Sequence, residues 1–210
     1  RIIMLTGDHK ATAHSIAHQA GIEHGAVVAG VQLEHMKQNE FNETLRNHSI
    51  FCRVLPHHKL RIVEGLQNLG SSVAVTGDGI NDAPALKKAN IGVAMGVRGT
   101  EVAKEASSLI LLDYNFKTIV AAIANGRKIY DDIQKAFRYI IAFHVPIFLS
   151  ALIVPLLGLP LLLVPIDIVL LELVLHPLVS VVFAKQPPSS DVMLRPPRSR
   201  TASIMGWNDL

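Results

Sequence analysis

Between residues 140 and 184 runs a block of about 45 residues that are nearly all apolar. As one helix it would reach roughly 68 Å at 1.5 Å per residue, whereas the hydrocarbon layer of a bilayer is about 30 Å thick. Two helices joined by a tight turn fit that layer, and Gly158-Leu159-Pro160 supplies the turn. Lys128, Lys135 and Arg138 precede the first span, and Lys185, Arg195, Arg198 and Arg200 follow the second. Both basic flanks then belong on one side, the cytoplasmic one, as a hairpin requires. The competing reading is a helical pair buried in a soluble core.

The rest of the chain differs. Residues 1–135 read as a soluble α/β protein, so the apolar block alone accounts for a mean hydropathy of +0.34 over 210 residues. The net charge is only +3, and the basic residues gather at the edges of the block, which indicates a membrane boundary and no nucleic-acid partner. Cys52 is the one cysteine, so neither an internal disulfide nor a CxxC metal site exists. The opening run RIIMLTGD reads as a buried strand already under way, without initiator Met or signal peptide. The expectation is a fragment of a longer protein.

Within residues 1–115 strand and helix patterns alternate. Residues 1–5, 49–54, 72–76, 91–95 and 109–112 are short, apolar and β-branched. Residues 9–20, 56–69, 82–89 and 100–106 carry helical spacing; Ala13, Ile16, Ala17 and Ala20 make one face of the first, Gly21 stops it, and Pro56 opens the second. Such alternation predicts a mostly parallel sheet with helices on both faces, and ligands bind at the carboxyl ends of its strands. Thr6-Gly7-Asp8 and residues 76–82 both fall there. From Phe116 a long helix, softened at Gly126, is expected to run as a stalk straight into the apolar block.

The stretch TGDGIND, residues 76–82, concentrates chemistry. Gly77 and Gly79 let the backbone turn tightly and approach a ligand. Asp78 and Asp82 are hard oxygen donors of the kind Mg2+ takes alongside phosphate and water. Asn81 can hydrogen-bond a phosphoryl oxygen without adding repulsion, and Lys59 can neutralise a transferring phosphoryl group. Metal, positioned donors and positive charge are the parts that phosphoryl transfer needs. In the apolar block, His144, Asp167, Glu172 and His176 stand out, because ionisable groups inside a membrane are costly. Glu172 and His176 share a helix face at i,i+4. Pro146, Pro155 and Pro177 are expected to break the helices nearby, freeing carbonyls that can coordinate a cation. Asp167 sits near the outer end of its helix and faces water.

The stretches MLTGDHKATAHSIAHQAGI, RVLPHHKLRIVEGLQ, VAVTGDGINDAPALKKANIGVAMGVRGTEVAKEAS and RPPRS, in this order and spacing, resemble the cation-transporting P-type ATPases, above all their calcium-pump-like branch. The resemblance covers essentially the whole chain. It implies a partial haloacid-dehalogenase-like Rossmann domain over residues 1–115 and a stalk over 116–139. A transmembrane α-helical hairpin follows: the family's fifth membrane helix at 140–157, a turn at 158–163 and the sixth at 164–184. A cytoplasmic loop or tail occupies 185–210. It also implies roles: Thr6, Gly7 and Asp8 contact phosphate and nucleotide; Arg53 and Lys59 meet ATP or the phosphoryl group; Asp78 ligates Mg2+, supported by Asn81 and Asp82. Changes at that site would pass down the long helix to transport-ion positions that fall on His144, Ile147, Glu172, Leu175 and His176.

Two departures from the family pattern matter. The phosphorylated aspartate of a D-K-T-G-T motif is absent, as are the actuator loop, the nucleotide-binding domain and the other membrane helices. Ile147 and Leu175 replace an acid and a hydroxyl, and His176 stands where an aspartate is expected. A His–Glu–His set suits a transition metal such as Mn2+ as well as Ca2+, and the FHVPI and LELVLHPLVS stretches resemble a bacterial subgroup. The implied activity is Mg2+-dependent ATP hydrolysis coupled to divalent-cation transport across a lipid membrane, the plasma membrane being expected. A membrane-anchored phosphatase of the same superfamily, needing its own upstream D-x-D, and an inactive remnant are the alternatives. His14 and His18 read as an exposed polar face, His57-His58 as structural, Cys52 as a small buried residue and Lys87-Lys88 as solvated.

Overall fold

The computed structural model describes residues 1–22, 25–113, 115–160 and 162–199. Arg200, counted above in the basic flank, and Leu161, inside the expected turn, lie outside them. The chain divides into two compact units, Arg1–Asn115 and Phe116–Leu210.

The first unit runs β1 (Met4–Leu5), α1 (Lys10–Gln19), β2 (Val28–Ala29), α2 (Gly30–His35), α3 (Gln38–Asn47), β3 (Ile50–Cys52) and α4 (Pro56–Asn68). It continues with β4 (Ala74–Gly77), a 3-10 turn (Ile80–Asp82), α5 (Ala83–Lys88), β5 (Ile91–Met95), α6 (Glu101–Glu105) and β6 (Leu109–Leu111). Every strand pair is parallel, as alternation with helices demands. The strands form two three-stranded sheets, ordered β1-β3-β2 and β4-β5-β6, where the sequence pattern suggested one. The order follows from β2, which lacks the length to show a period but pairs Val28 with Phe51 and Ala29 with Cys52, making β3 a central strand.

The core follows this topology. Phe51 of β3 packs with Leu33, Phe41, Leu45, Val54 and Ile62 on one side. Ile50 and Cys52 pack with Ala13, Ala17 and Val27 on the other. Successive strand residues face opposite ways, so a three-residue strand serves two clusters. Around the second sheet Leu86, Ala94 and Ala103 form a third. The apolar face read for α1 is narrower than expected: Ala13 and Ala17 are fully buried, but Ile16 is 45% exposed and Ala20 is exposed. Only the two alanines point at β3, and methyl side chains let the helix lie close to the strand.

The second unit holds α7 (Phe116–Leu156) and α8 (Pro165–Lys185). At 41 residues α7 extends about 62 Å, so stalk and first apolar span are one helix. Neither helix breaks at its prolines: α7 continues through Pro146 and Pro155, and α8 through Pro177. The correction is physical. A proline removes one N–H, leaving the carbonyl four residues earlier (Ala142, Ala151 or Leu173) without its helical donor, while flanking bonds keep the helix going. Gly158 turns the chain between them at φ +70. Both helices are long and apolar enough to cross a membrane, and none of their side chains is buried within the chain. A helical pair inside a soluble core would bury its apolar faces.

The basic flanks of this hairpin are engaged. Lys128 Nζ reaches Asp132 Oδ2 (2.6 Å) and Ala184 O (3.2 Å), and Lys135 Nζ reaches Gln186 Oε1 (2.9 Å). Beyond α8, Arg195 makes a two-pronged bond to Asp131, at 3.2 and 2.6 Å. Arg127 donates to the carbonyls of Val192 and Arg195, both at 2.8 Å, and the Arg198 guanidinium lies 4.2 Å over the Tyr130 ring. The residues after α8 are therefore tied to one stretch of α7. The Asp131 carboxylate raises the Arg195 pKa further above its ordinary value.

Candidate functional site

Two groups of the residues singled out above lie at the carboxyl ends of the first unit's strands. Thr6-Gly7-Asp8 follows β1 and is zipped to the chain leaving β3. Thr6 N donates to Phe51 O (3.0 Å), Val54 N to Thr6 O (3.0 Å) and Arg53 N to Asp8 O (3.1 Å). Thr6 Oγ1 donates to Asp8 Oδ2 (3.0 Å) and accepts the Asp8 N–H (3.1 Å). Asp8 does not cap α1, whose N-cap is His9. Arg53 has φ +49, a left-handed conformation that a side-chain-bearing residue adopts at a cost. Its guanidinium lies 2.6 Å from His9 Nδ1. A cleft of about 330 Å3 opens here, lined by His9, Lys10, Gln32, Cys52 and Arg53 among others.

The second group is Lys59, Asp78, Asn81 and Asp82. Lys59 Nζ, in the first turn of α4, lies 2.5 Å from Asp82 Oδ1, and both side chains are largely buried, at 22% and 12% exposure. Asp82 Oδ2 accepts the N–H groups of Asp78 (3.4 Å) and Gly79 (3.3 Å). Asp82 therefore holds the turn and Lys59 together, while Asp78 and Asn81 are exposed on the turn's outer side. Neither of the two glycines has positive φ. Gly77 is required because a Cβ there would come within 2.5 Å of Asp82 Cβ; at Gly79 it would meet nothing closer than 3.8 Å. The link from β3 to α4 thus carries Arg53 to one group and Lys59, six residues on, to the other.

In the second unit, α7 and α8 bring His144, Glu172 and His176 together. His144 Nε2 lies 2.8 Å from Glu172 Oε1, and His176 Nδ1 lies 2.8 Å from Glu172 Oε2. The imidazole rings stack at 5.2 Å with planes 15° apart. One donor atom from each residue lies within 4.8 Å of the other two. Asp167 is not part of this group: its Oδ2 accepts the Val164 N–H (3.0 Å) at the start of α8.

A second histidine–carboxylate group escaped the sequence reading. Glu34 Oε1, on α2, meets His57 Nε2 (3.2 Å) and His58 Nε2 (2.9 Å). His58 is 1% exposed, and its Nδ1 accepts the Leu55 N–H (3.1 Å). That bond assigns the proton to Nε2, which donates to Glu34, so the neutral ring offers no lone pair for a metal. The carboxyl of Glu34 is held below its ordinary value, first by the His58 hydrogen bond and then by His57. His58, Gln32, Asp82 and Asp167 share one signal: each stands third in its helix and reaches back to the N–H of the residue before it. His14 and His18 are exposed on α1, and Cys52 is buried.

Comparison with known families bears on these groups. The haloacid dehalogenase-like hydrolase family matches residues 1–90, and a second family of that description matches residues 60–123. The family described as cation transporting ATPase, C-terminus, matches residues 160–210. A calcium-transporting ATPase of Bacillus subtilis is 45% identical over 99% of this chain and 24% of its own length. The endoplasmic reticulum calcium ATPase srcA of Aspergillus fumigatus is 41% identical over 98% of the chain and 22% of its own length. The P-type sodium-transporting ATPase4 of Toxoplasma gondii is 40% identical over 98% and 16%. The chain thus spans about a quarter or less of the length of these relatives.

Proposed function

We propose that this chain, which belongs to the P-type cation-ATPase family, is the phosphoryl-handling and ion-binding segment of a longer ATP-driven cation pump. The observation that carries the reading is the Asp82 clamp. A largely buried carboxylate fixes both the Lys59 ammonium and the backbone turn, and so presents Asp78 on an ordered loop at a strand's carboxyl end. An exposed carboxylate beside Asp82 fits a small hard cation that keeps several waters, so Asp78, with Asp82 next to it, would hold Mg2+. Bound there, Mg2+ supplies positive charge for phosphoryl transfer. Lys59 keeps a positioned ammonium beside the turn, and the Asn81 amide can donate to a phosphoryl oxygen. Thr6, Gly7, Asp8 and Arg53 orient ATP, the strained Arg53 backbone being held by Asp8 O. The aspartate that receives the phosphoryl group lies in a part of the protein outside this sequence.

The apolar part of α7 and the whole of α8 serve as the fifth and sixth membrane helices, of the calcium-pump-like branch in its bacterial form. They sit in the plasma membrane with residues 1–139 and 185–210 on the cytoplasmic side, and carry a divalent cation at His144, Glu172 and His176. Relatives of nearly equal identity are named for different ions, calcium and sodium, so the cargo has to be read from the site. In the full-length protein, Asp78→Ala is expected to abolish Mg2+-dependent labelling by radioactive ATP, a loss of at least roughly a hundredfold. Normal labelling in that variant would end this reading.

A further inference from the structure

We infer that the ion taken between α7 and α8 is a first-row divalent transition ion bound through imidazole nitrogen, and not Ca2+; the inference rests on the pump reading for the meaning of the site, not for its chemistry. Both histidines turn one ring nitrogen towards Glu172. His144 Nδ1 lies 2.8 Å from the Ile140 carbonyl. A carbonyl only accepts, so Nδ1 carries the proton and Nε2, facing Glu172, is the lone-pair nitrogen. His176 turns its Nδ1 to Glu172 Oε2 at 2.8 Å, so Nδ1 is the nitrogen that can share an ion with Glu172 and His144 Nε2. Its Nε2, on the far side of the ring, is the single buried side-chain nitrogen or oxygen without a hydrogen-bond partner among the described residues. An imidazole held on one nitrogen by a carbonyl, with the other aimed at the site, is the supporting arrangement of a metal-ligating histidine, and His144 has it.

The rings are also fixed. His176 meets the edges of Tyr139 at 5.8 Å and Phe143 at 5.4 Å, and it stacks on His144. The contact of His144 Nε2 with Glu172 Oε1 joins two acceptors at 2.8 Å, and a positive charge shared between them, metal ion or proton, resolves it.

The kind of donors brought together argues against Ca2+, which takes six to eight oxygens. On these two helices Glu172 offers two. The carbonyls left without donors by Pro146, Pro155 and Pro177, at Ala142, Ala151 and Leu173, add three more. The hydroxyls of Ser150 and Ser180 are already given to the carbonyls of Ile147 and His176, each at 2.8 Å. Two nitrogens and a carboxylate converging at one point suit Zn2+, Co2+ or Mn2+, whereas Ca2+ takes oxygen ligands.

The test uses the full-length protein in detergent, with Co2+ alone as optical probe and Ca2+, Zn2+ and Mn2+ as competitors. The expected result is a visible absorption band typical of nitrogen-ligated Co2+, removed by Zn2+ and not by Ca2+. His144→Gln and His176→Gln should each weaken Co2+ binding by roughly tenfold or more, and His176→Asp should move preference towards Ca2+. Ca2+ displacing Co2+ as well as Zn2+ does, or indifference of binding to all three variants, would overturn the inference. Labelling from ATP is read in parallel. Labelling that answers only to Ca2+ would sink this inference and leave the pump reading standing; Co2+ bound through both histidines with labelling indifferent to every ion would do the reverse.

Discussion

Each unit contains one glutamate flanked by two histidines, and the two groups are built for opposite ends. At Glu34, His57 and His58, both imidazoles meet the same carboxylate oxygen, and the buried ring uses its second nitrogen to accept a backbone N–H. Every polar atom of His58 is satisfied, so the group is a closed clamp between α2 and the start of α4. At His144, Glu172 and His176 each carboxylate oxygen meets a different histidine, and one buried nitrogen stays unpaired. Composition and spacing do not separate these cases. What separates them is which nitrogen the neighbours have already engaged, a carbonyl acceptor in one group and an N–H donor in the other.

The comparison is most exposed at His58 and His176. His58→Ala should cost about 3 kcal/mol, because it opens a cavity and leaves both the Leu55 N–H and the Glu34 carboxylate without their partner. His176→Leu should cost less, about 1 kcal/mol, since Nε2 has no partner within the chain and only the Nδ1 contact with the half-exposed Glu172 is lost. Amide hydrogen exchange across α4 and α8 in the whole chain reads both. Equal losses at the two sites would break the distinction.

Acidification sharpens it next. The Glu34 pKa lies below its ordinary 4.5 in the folded chain, chiefly through His58. A lowered folded-state pKa adds stability that is fully present above the unfolded value and is lost as pH falls through the folded one. Protection of the α2 and early α4 amides, corrected for intrinsic exchange, should therefore fall as pH drops below 4.5. The same amides in His58→Ala should show a shallower fall over that range; an identical slope would mean that His58 is not what holds the carboxylate.

Much of this was legible in the sequence, for identifiable reasons. Ile91–Met95 and Pro56–Asn68 announce themselves by β-branching and by an opening proline. The apolar hairpin follows from length alone. β2 and α2 were missed because two and six residues are too few to show a period. α3 was missed although Phe41, Thr44 and Leu45 keep helical spacing, because its other residues are polar. At the sites, the sequence identified the TGD and GDGIND turns. Its pattern did not reveal that Asp82 faces inward to Lys59 while Asp78 stays outside, since that depends on the 3-10 turn between them. The Glu34 clamp joins residues 23 and 24 positions apart, and no local pattern brings them together.

The smallest expected effect concerns His57, and it decides whether the first group is one clamp or two contacts. His57 is 62% exposed and shares Glu34 Oε1 with the buried His58 at the longer distance, 3.2 against 2.9 Å. An exposed pair in high dielectric is screened and contributes little. His57→Ala should therefore change α4 protection by less than about 0.5 kcal/mol, while moving the acid limb of the Glu34 profile slightly upward, because its second donor is lost. Were His57→Ala as damaging as His58→Ala, the clamp would depend on both rings acting together, the ring contact at 4.0 Å would have to carry that coupling, and burial would no longer explain why one histidine outweighs its neighbour.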